Sequence, residues 1–169
     1  MLVLHPHPDY GGNRFNPVVD ALFQAVTAEG WAVIRFDFSS SVADVAIAEA
    51  GEALDRLPGN VPLVVAGYSF GAGIATQLLG PRIVRWVLVA PLLSPAKLDV
   101  DAIAADPRPK LVLTPARDQF CPPATASEAT APWKETTLEV VDSADHFLAG
   151  ATQRVSDRAL EVIRSSCRR

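Results

Sequence analysis

The chain has 169 residues, enough for one domain with a proper core. Hydrophobic residues make up 49% and charged residues 20%, as in a soluble globular protein, and a net charge of −4 leaves no electrostatic footprint for nucleic acid. No apolar run approaches a membrane span, and Met1-Leu-Val-Leu-His5 lacks the basic and long apolar regions of a signal peptide.

Two cysteines, Cys121 and Cys167, form neither a disulfide framework nor a metal spacing. A reducing, cytoplasmic setting is therefore expected. The basic residues Arg164, Arg168 and Arg169 close the last helical pattern and read as a solvated, dipole-compatible tail.

Short apolar, β-branched runs alternate with helical patterns, which predicts βαβ units and a parallel sheet within a single domain, residues 1–169. The first strand is expected at Leu2–His5, followed by a loop through Gly12. Asn16 then reads as a helix cap with Pro17 at the first helical position. Val19, Leu22, Phe23 and Val26 make one apolar face, and Gly30 closes that helix. A strand at Ala32–Phe36 precedes an alanine-rich helix over Val42–Leu57, stopped by Pro58-Gly59. A strand at Leu63–Ala66 runs into a short helix, Phe70–Leu79, and Val84–Ala90 is the next strand. Residues 91–110, with Pro91, Pro95, Pro107 and Pro109, read mostly as loop, too short for a lid domain. Strands at Leu111–Thr114 and Leu138–Val141 flank a helix near Ala124–Thr130. The last helix, over Leu148–Ser165, carries Val155, Ala159, Val162 and Ile163 on one face.

Gly67-Tyr68-Ser69-Phe70-Gly71 sits between an apolar strand and a helix. A serine at the apex of a sharp strand-to-helix turn is the setting of a nucleophile elbow. A serine hydroxyl needs a base, a group that orients the base, and donors for the oxyanion. His146 is the one histidine after Ser69, and it follows the last strand in Asp142-Ser-Ala-Asp145-His146-Phe147. Asp118, in the loop after the preceding strand, is the expected acid; Asp145 and Asp142 are rivals. Phe70 and His7 are the expected oxyanion N–H donors, each worth about 3 kcal/mol in a transition state. Pro6 and Pro8 stiffen the His7 loop without competing as donors.

His5 and His7, with Asp9 or His146, invite a metal reading, but His-x-His without further ligand spacing is a weak signal. A structural role for His5, pinning the loop by backbone hydrogen bonds, is expected instead, and neither metal nor cofactor is expected. Tyr10 either donates to a substrate oxygen or simply packs. Cys121 is read as a small loop residue near the site, open to alkylation. Leu92, Leu93, Phe120 and Phe147 are candidates for an apolar wall around an acyl group.

Together these residues resemble the α/β-hydrolase superfamily, and most of all small bacterial hydrolases with a His-Pro-His-Pro-x-x-Gly-Gly loop, here His5 to Gly12. Dienelactone-hydrolase-like proteins look like more distant relatives. The resemblance implies a minimal α/β-hydrolase fold: about six mainly parallel strands, helices on both faces and no lid domain. It implies a Ser69–Asp118–His146 triad and ester-type hydrolysis, without a known substrate; because residues 91–110 are too short for a lid domain, the expected activity is that of a carboxylesterase on a small ester or thioester. The chain starts at what would be the third strand of such proteins, and Ser39-Ser-Ser41 stands where they carry Arg-Gly and further glycines. A hydrolase-like binding protein with little turnover, and a peptidase or acyltransferase on the same triad, remain open alternatives. The expected partner is a small-molecule substrate, with no nucleic acid and no membrane. An exposed edge strand near Ala32–Phe36 leaves monomer and homodimer open.

Overall fold

The computed structural model describes residues 1–93 and 98–166; Pro95, Cys167, Arg168 and Arg169 lie outside the described residues. Six strands form one sheet, all parallel: β1 (Leu2–Leu4), β2 (Ile34–Arg35), β3 (Leu63–Tyr68), β4 (Ile83–Val89), β5 (Lys110–Arg117) and β6 (Thr136–Asp145). Their order across the sheet is β2-β1-β3-β4-β5-β6. The helices are α1 (Pro17–Ala28), α2 (Ala43–Asp55), α3 (Phe70–Ala75), α4 (Asp101–Ala105), α5 (Pro123–Thr130) and α6 (Thr152–Ser166).

Both faces of the sheet are covered, as an all-parallel sheet requires. Val3, Val64, Ala66, Tyr68, Val87, Val89, Leu111 and Leu113 face α1 and α6. The alternate residues Leu2, Leu4, Leu63, Val65, Trp86, Leu88 and Val112 face α2 and α3. The period of two along each strand thus builds two cores from one run of apolar residues.

Local chemistry sets the helix ends. Asn16 Oδ1 accepts from Val18 N at 3.0 Å, and Pro17 opens α1. Val18, Val19, Leu22 and Val26 of α1 are buried against the sheet and α6. Phe23 is partly buried, with the Arg35 guanidinium 4.0 Å from its ring centroid. Arg164, expected to be merely solvated, reaches from α6 to α1 and pairs with Glu29. In α2 the alanines Ala46, Ala50 and Ala53 allow close approach to the sheet.

Several boundaries depart from the expected ones. The final helix begins at Thr152, not Leu148, because Leu148 (φ 56°) and Gly150 (φ 73°) turn the chain left-handed first. Helix α3 ends at Ala75, short of Leu79. The segment expected to be mostly loop holds α4, five residues with Ile103 buried. Strand β5 continues past Thr114 because its pairing with β6 extends to Arg117↔Asp145. Pro115 is tolerated there because the β4 ladder has already ended at Val89↔Leu113.

At the opposite end of the sheet, Lys110 is 1% exposed. Its ammonium donates to Asp106 O, Arg108 O and Lys134 O at 2.6–2.9 Å, so all three donors are used structurally. Among the described residues no helix is long and apolar enough to cross a membrane.

Candidate active site

Strand β3 delivers Ser69 at the carboxyl end of the sheet, where open α/β sheets place their sites. Its backbone is held at φ 54° and ψ −114°, a conformation that costs about 1–3 kcal/mol for a residue with a side chain. The surroundings hold it there: Ser69 N donates to Val89 O at 2.9 Å, and Ser69 O accepts from Ala72 N and Gly73 N.

Two glycines make this turn possible by close approach. A Cβ on Gly71 would stand 2.5 Å from both Leu4 O and His5 O. A Cβ on Gly67 would collide with the Gly71 carbonyl. The elbow therefore packs directly on the end of β1, where the His5–Gly12 loop begins.

The three polar residues chosen from the sequence come together. His146 Nε2 lies 2.9 Å from Ser69 Oγ, and His146 Nδ1 lies 2.8 Å from Asp118 Oδ2. Ser69, Asp118 and His146 are each at most 6% exposed. A carboxylate only accepts, so the tautomer of a neutral imidazole that suits this geometry carries its proton on Nδ1 and turns Nε2 as acceptor to the serine hydroxyl. Asp118 Oδ1 is held separately, by Phe120 N at 2.8 Å and Cys121 N at 3.0 Å. The rival Asp145 spends its Oδ1 on its own turn, accepting from Phe147 N at 3.0 Å. Asp142 meets Arg154 only through its backbone carbonyl.

Two groups that sequence reasoning did not single out steady the histidine. The Tyr68 hydroxyl is buried and donates to His146 O at 2.8 Å, tying the elbow to the histidine loop. Burial, with Asp118 nearby, pushes its pKa up, so the phenol stays a donor. Gln119 Oε1 lies 3.4 Å from His146 N. Tyr68 was visible inside the elbow pentapeptide, but its partner is 78 residues away in the chain.

The His-Pro-His-Pro loop has a distinct logic. His5 is 1% exposed, its Nδ1 donates to Pro6 O at 2.6 Å and its Nε2 accepts from Phe38 N at 2.8 Å. Both ring nitrogens are engaged by backbone, the structural role expected of it. Burial holds its pKa below the ordinary 6.5, which suits a neutral ring that both donates and accepts. No group of three or more His, Cys, Asp or Glu suited to a metal occurs among the described residues. A 3₁₀ turn over Pro8–Tyr10 follows, and His7 O accepts from Tyr10 N and Gly12 N. The His7 ring packs on Phe70 at 5.0 Å and on Tyr10 at 4.8 Å, so the loop lies against the elbow. The backbone N–H groups of Phe70 and His7 have no protein acceptor among the described residues. Ser41 Oγ donates to Asp9 Oδ2 at 2.6 Å, and the Ser39–Ser41 segment thereby braces the loop.

The other candidates fall in different places. Phe120 and Phe147 flank His146 at ring distances of 4.7 and 5.9 Å. Tyr10 is largely exposed, its ring tilted at 47° against that of His7. Leu92 and Leu93 line an apolar cavity of about 90 Å³ with Gly73, Thr76, Leu98 and Trp133, a lining that does not include Ser69 or His146. Cys121 is 3% exposed and burial raises its thiol pKa, so it is not the accessible thiol expected from the loop sequence.

No protein-family model matches the chain. It is 30% identical to an uncharacterized protein of Rickettsia prowazekii over 92% of this chain and 74% of that protein. A candidate alpha/beta hydrolase of unknown function from Agrobacterium tumefaciens superposes with a TM-score of 0.87 at 27% identity, covering 96% of this chain and 83% of that one. An alpha-beta serine hydrolase homologue from Coxiella burnetii shares the fold, with a TM-score of 0.86 at 20% identity over the same shares of the two chains. The chain belongs to the α/β-hydrolase superfamily, in one family with the Rickettsia protein.

Proposed function

We propose that this protein is a serine hydrolase that cleaves a small ester or thioester through an acyl-enzyme, and we read it as a carboxylesterase. The observation that carries this reading is the buried relay from Ser69 Oγ to His146 to Asp118, with both links below 3 Å. In this reading Ser69 Oγ attacks the carbonyl carbon while His146 Nε2 takes its proton. Asp118 keeps the proton on Nδ1 and offsets the charge of the imidazolium that forms. The N–H groups of Phe70 and His7 hold the oxyanion, an interaction made chiefly in the transition state and worth about 3 kcal/mol per donor. His146 then protonates the leaving oxygen or sulfur, and a water activated by the same histidine releases the acid. Strain at Ser69 favours this role, since sparsely populated backbone conformations cluster at active sites.

The test is hydrolysis of p-nitrophenyl acetate under pre-steady-state conditions. The reading expects a burst of nitrophenol matching the folded enzyme, and an acetyl group on the Ser69 peptide after acid quench. A well-folded sample with no hydrolysis above buffer, or undiminished hydrolysis by Ser69→Ala, overturns it in favour of a hydrolase-like binding protein.

A further inference from the structure

Phe120 and Phe147 are 60% and 62% exposed, and neither belongs to the two cores. They occupy the loops after β5 and β6, the loops that carry Asp118 and His146. Phe120 meets the His146 ring at 75° and Phe147 meets it at 86°. The two phenylalanine rings lie 6.5 Å apart and nearly perpendicular, at 86°. Isolated exposed apolar residues are ordinary, but a pair converging on a buried catalytic-type imidazole is a patch with a location.

Chemistry gives that location a side. In an acyl transfer run by one histidine, Nε2 must deliver its proton to the departing oxygen. The departing group therefore lies on the histidine side of the scissile carbon, while the carbonyl oxygen points towards Phe70 N and His7 N. We propose that Phe120 and Phe147 form a leaving-group subsite for an aromatic alcohol, so that aryl and benzylic esters are the favoured substrate class. This rests on the serine-hydrolase reading. A flat ring fits two perpendicular walls because it stacks on one and turns its edge to the face of the other, the arrangements aromatic pairs prefer. An alkyl chain covers the same area without that pairing.

The step is acylation. The Ser69 Oγ–C bond forms and the bond from carbonyl carbon to R′O breaks, with its electron pair leaving on R′O. His146 passes the serine proton to R′O, giving R′OH and the Ser69 ester; water then converts that ester to the carboxylic acid and free serine. With a fixed acetyl group every substrate gives the same acetyl-enzyme, so deacylation is blind to R′.

The experiment compares benzyl acetate with propyl acetate, esters of alcohols of similar basicity, on the full chain. The wild type is expected to favour benzyl acetate in kcat/KM by about tenfold, the scale of two aromatic pairs. Phe120→Ala and Phe147→Ala each lower that ratio severalfold, and the double variant brings it near one. Phe120→Leu, which keeps apolar bulk, lowers it too. The rate of acetyl-enzyme hydrolysis, followed on the Ser69 peptide, moves less than twofold. An unchanged benzyl-to-propyl ratio in the alanine variants overturns the subsite. So does a change confined to deacetylation, which would put the rings on the acyl side. A wild type that neither hydrolyses acetates nor becomes acetylated at Ser69 instead overturns the hydrolase reading itself.

Discussion

Asp118→Asn tests the orientation of the histidine atom by atom. Asp118 Oδ1 accepts two N–H groups, from Phe120 and Cys121, while Oδ2 accepts from His146 Nδ1. Asparagine has a single acceptor oxygen. If its NH₂ group turns towards the two backbone donors, the buried Cys121 N–H and the part-buried Phe120 N–H lose their partner, at up to about 1–3 kcal/mol each. The amide oxygen therefore stays with Phe120 N and Cys121 N, and the NH₂ faces His146. A donor there demands an acceptor at Nδ1, so the imidazole proton moves to Nε2 and points at Ser69. The base is lost while the fold is kept. Trapping a triad histidine in this tautomer costs about 10⁴-fold in kcat, or about 5.4 kcal/mol at 1.36 kcal/mol per decade. The assay is kcat for p-nitrophenyl acetate beside a urea unfolding curve; stability is expected within about 1 kcal/mol of wild type, because the turn bonds survive. Asp145→Asn, where Oδ1 accepts from Phe147 N and makes no hydrogen bond to the His146 ring, is the control and should lose less than tenfold. A loss below tenfold for Asp118→Asn, or a larger loss for Asp145→Asn, refutes the reasoning.

Other perturbations reach the same site from different sides. Gly71→Ala pushes a Cβ into Leu4 O and His5 O, backbone atoms that must move, and should destabilise by about 1–3 kcal/mol or more. Its Tm should fall by about 2–4 °C per kcal/mol, read by thermal melting; an unchanged Tm contradicts the packing described. Tyr68→Phe leaves His146 O unpaired and buried, so it should cost about 1–3 kcal/mol in urea unfolding and lower kcat with KM little changed. Wild-type kcat in that variant would show that the hydroxyl does not position His146. His5 carries a signed pH dependence: its folded pKa is depressed below 6.5 by burial, so the unfolded chain binds the proton first. Its stabilising contribution is complete above 6.5 and falls as pH drops through that value towards the folded pKa. Unfolding free energies across that window should slope downwards in the wild type and be flatter in His5→Gln; equal slopes remove His5 from the account.

Much of the site is legible in the chain because its determinants are local or ordered. Gly67 to Gly71 declares the elbow through two positions where backbone approach excludes a Cβ, and that exclusion is visible as glycine. The order serine, acid, histidine then leaves His146 alone and Asp118 ahead of Asp145. What separates the two aspartates is a hydrogen bond, Asp145 Oδ1 to Phe147 N, that no spacing rule contains. Long-range partners are hidden for the same reason: Tyr68 reaches His146, and His5 reaches Phe38, across stretches that only the sheet order brings together. The misplaced start of the last helix has a local cause. Leu148 fits the apolar period and is fully buried, yet its backbone is left-handed, so periodicity extended the helix one turn too far. Helix α4 is too short for periodicity to register, and β5 outruns its apolar pattern because pairing with β6, not hydrophobicity, carries it to Arg117. Exposure was hidden as well: Cys121 sits in a loop sequence but lies beneath it.

The most direct test of the account is reaction with a fluorophosphonate probe, with the labelled peptide located by mass in the wild type and in Ser69→Ala. An activated serine predicts fast, stoichiometric labelling confined to Ser69, slowed in His146→Gln and absent from Ser69→Ala. A folded wild-type protein that stays unlabelled, or that is labelled at another residue, contradicts the claim that Ser69, His146 and Asp118 act as one nucleophilic unit.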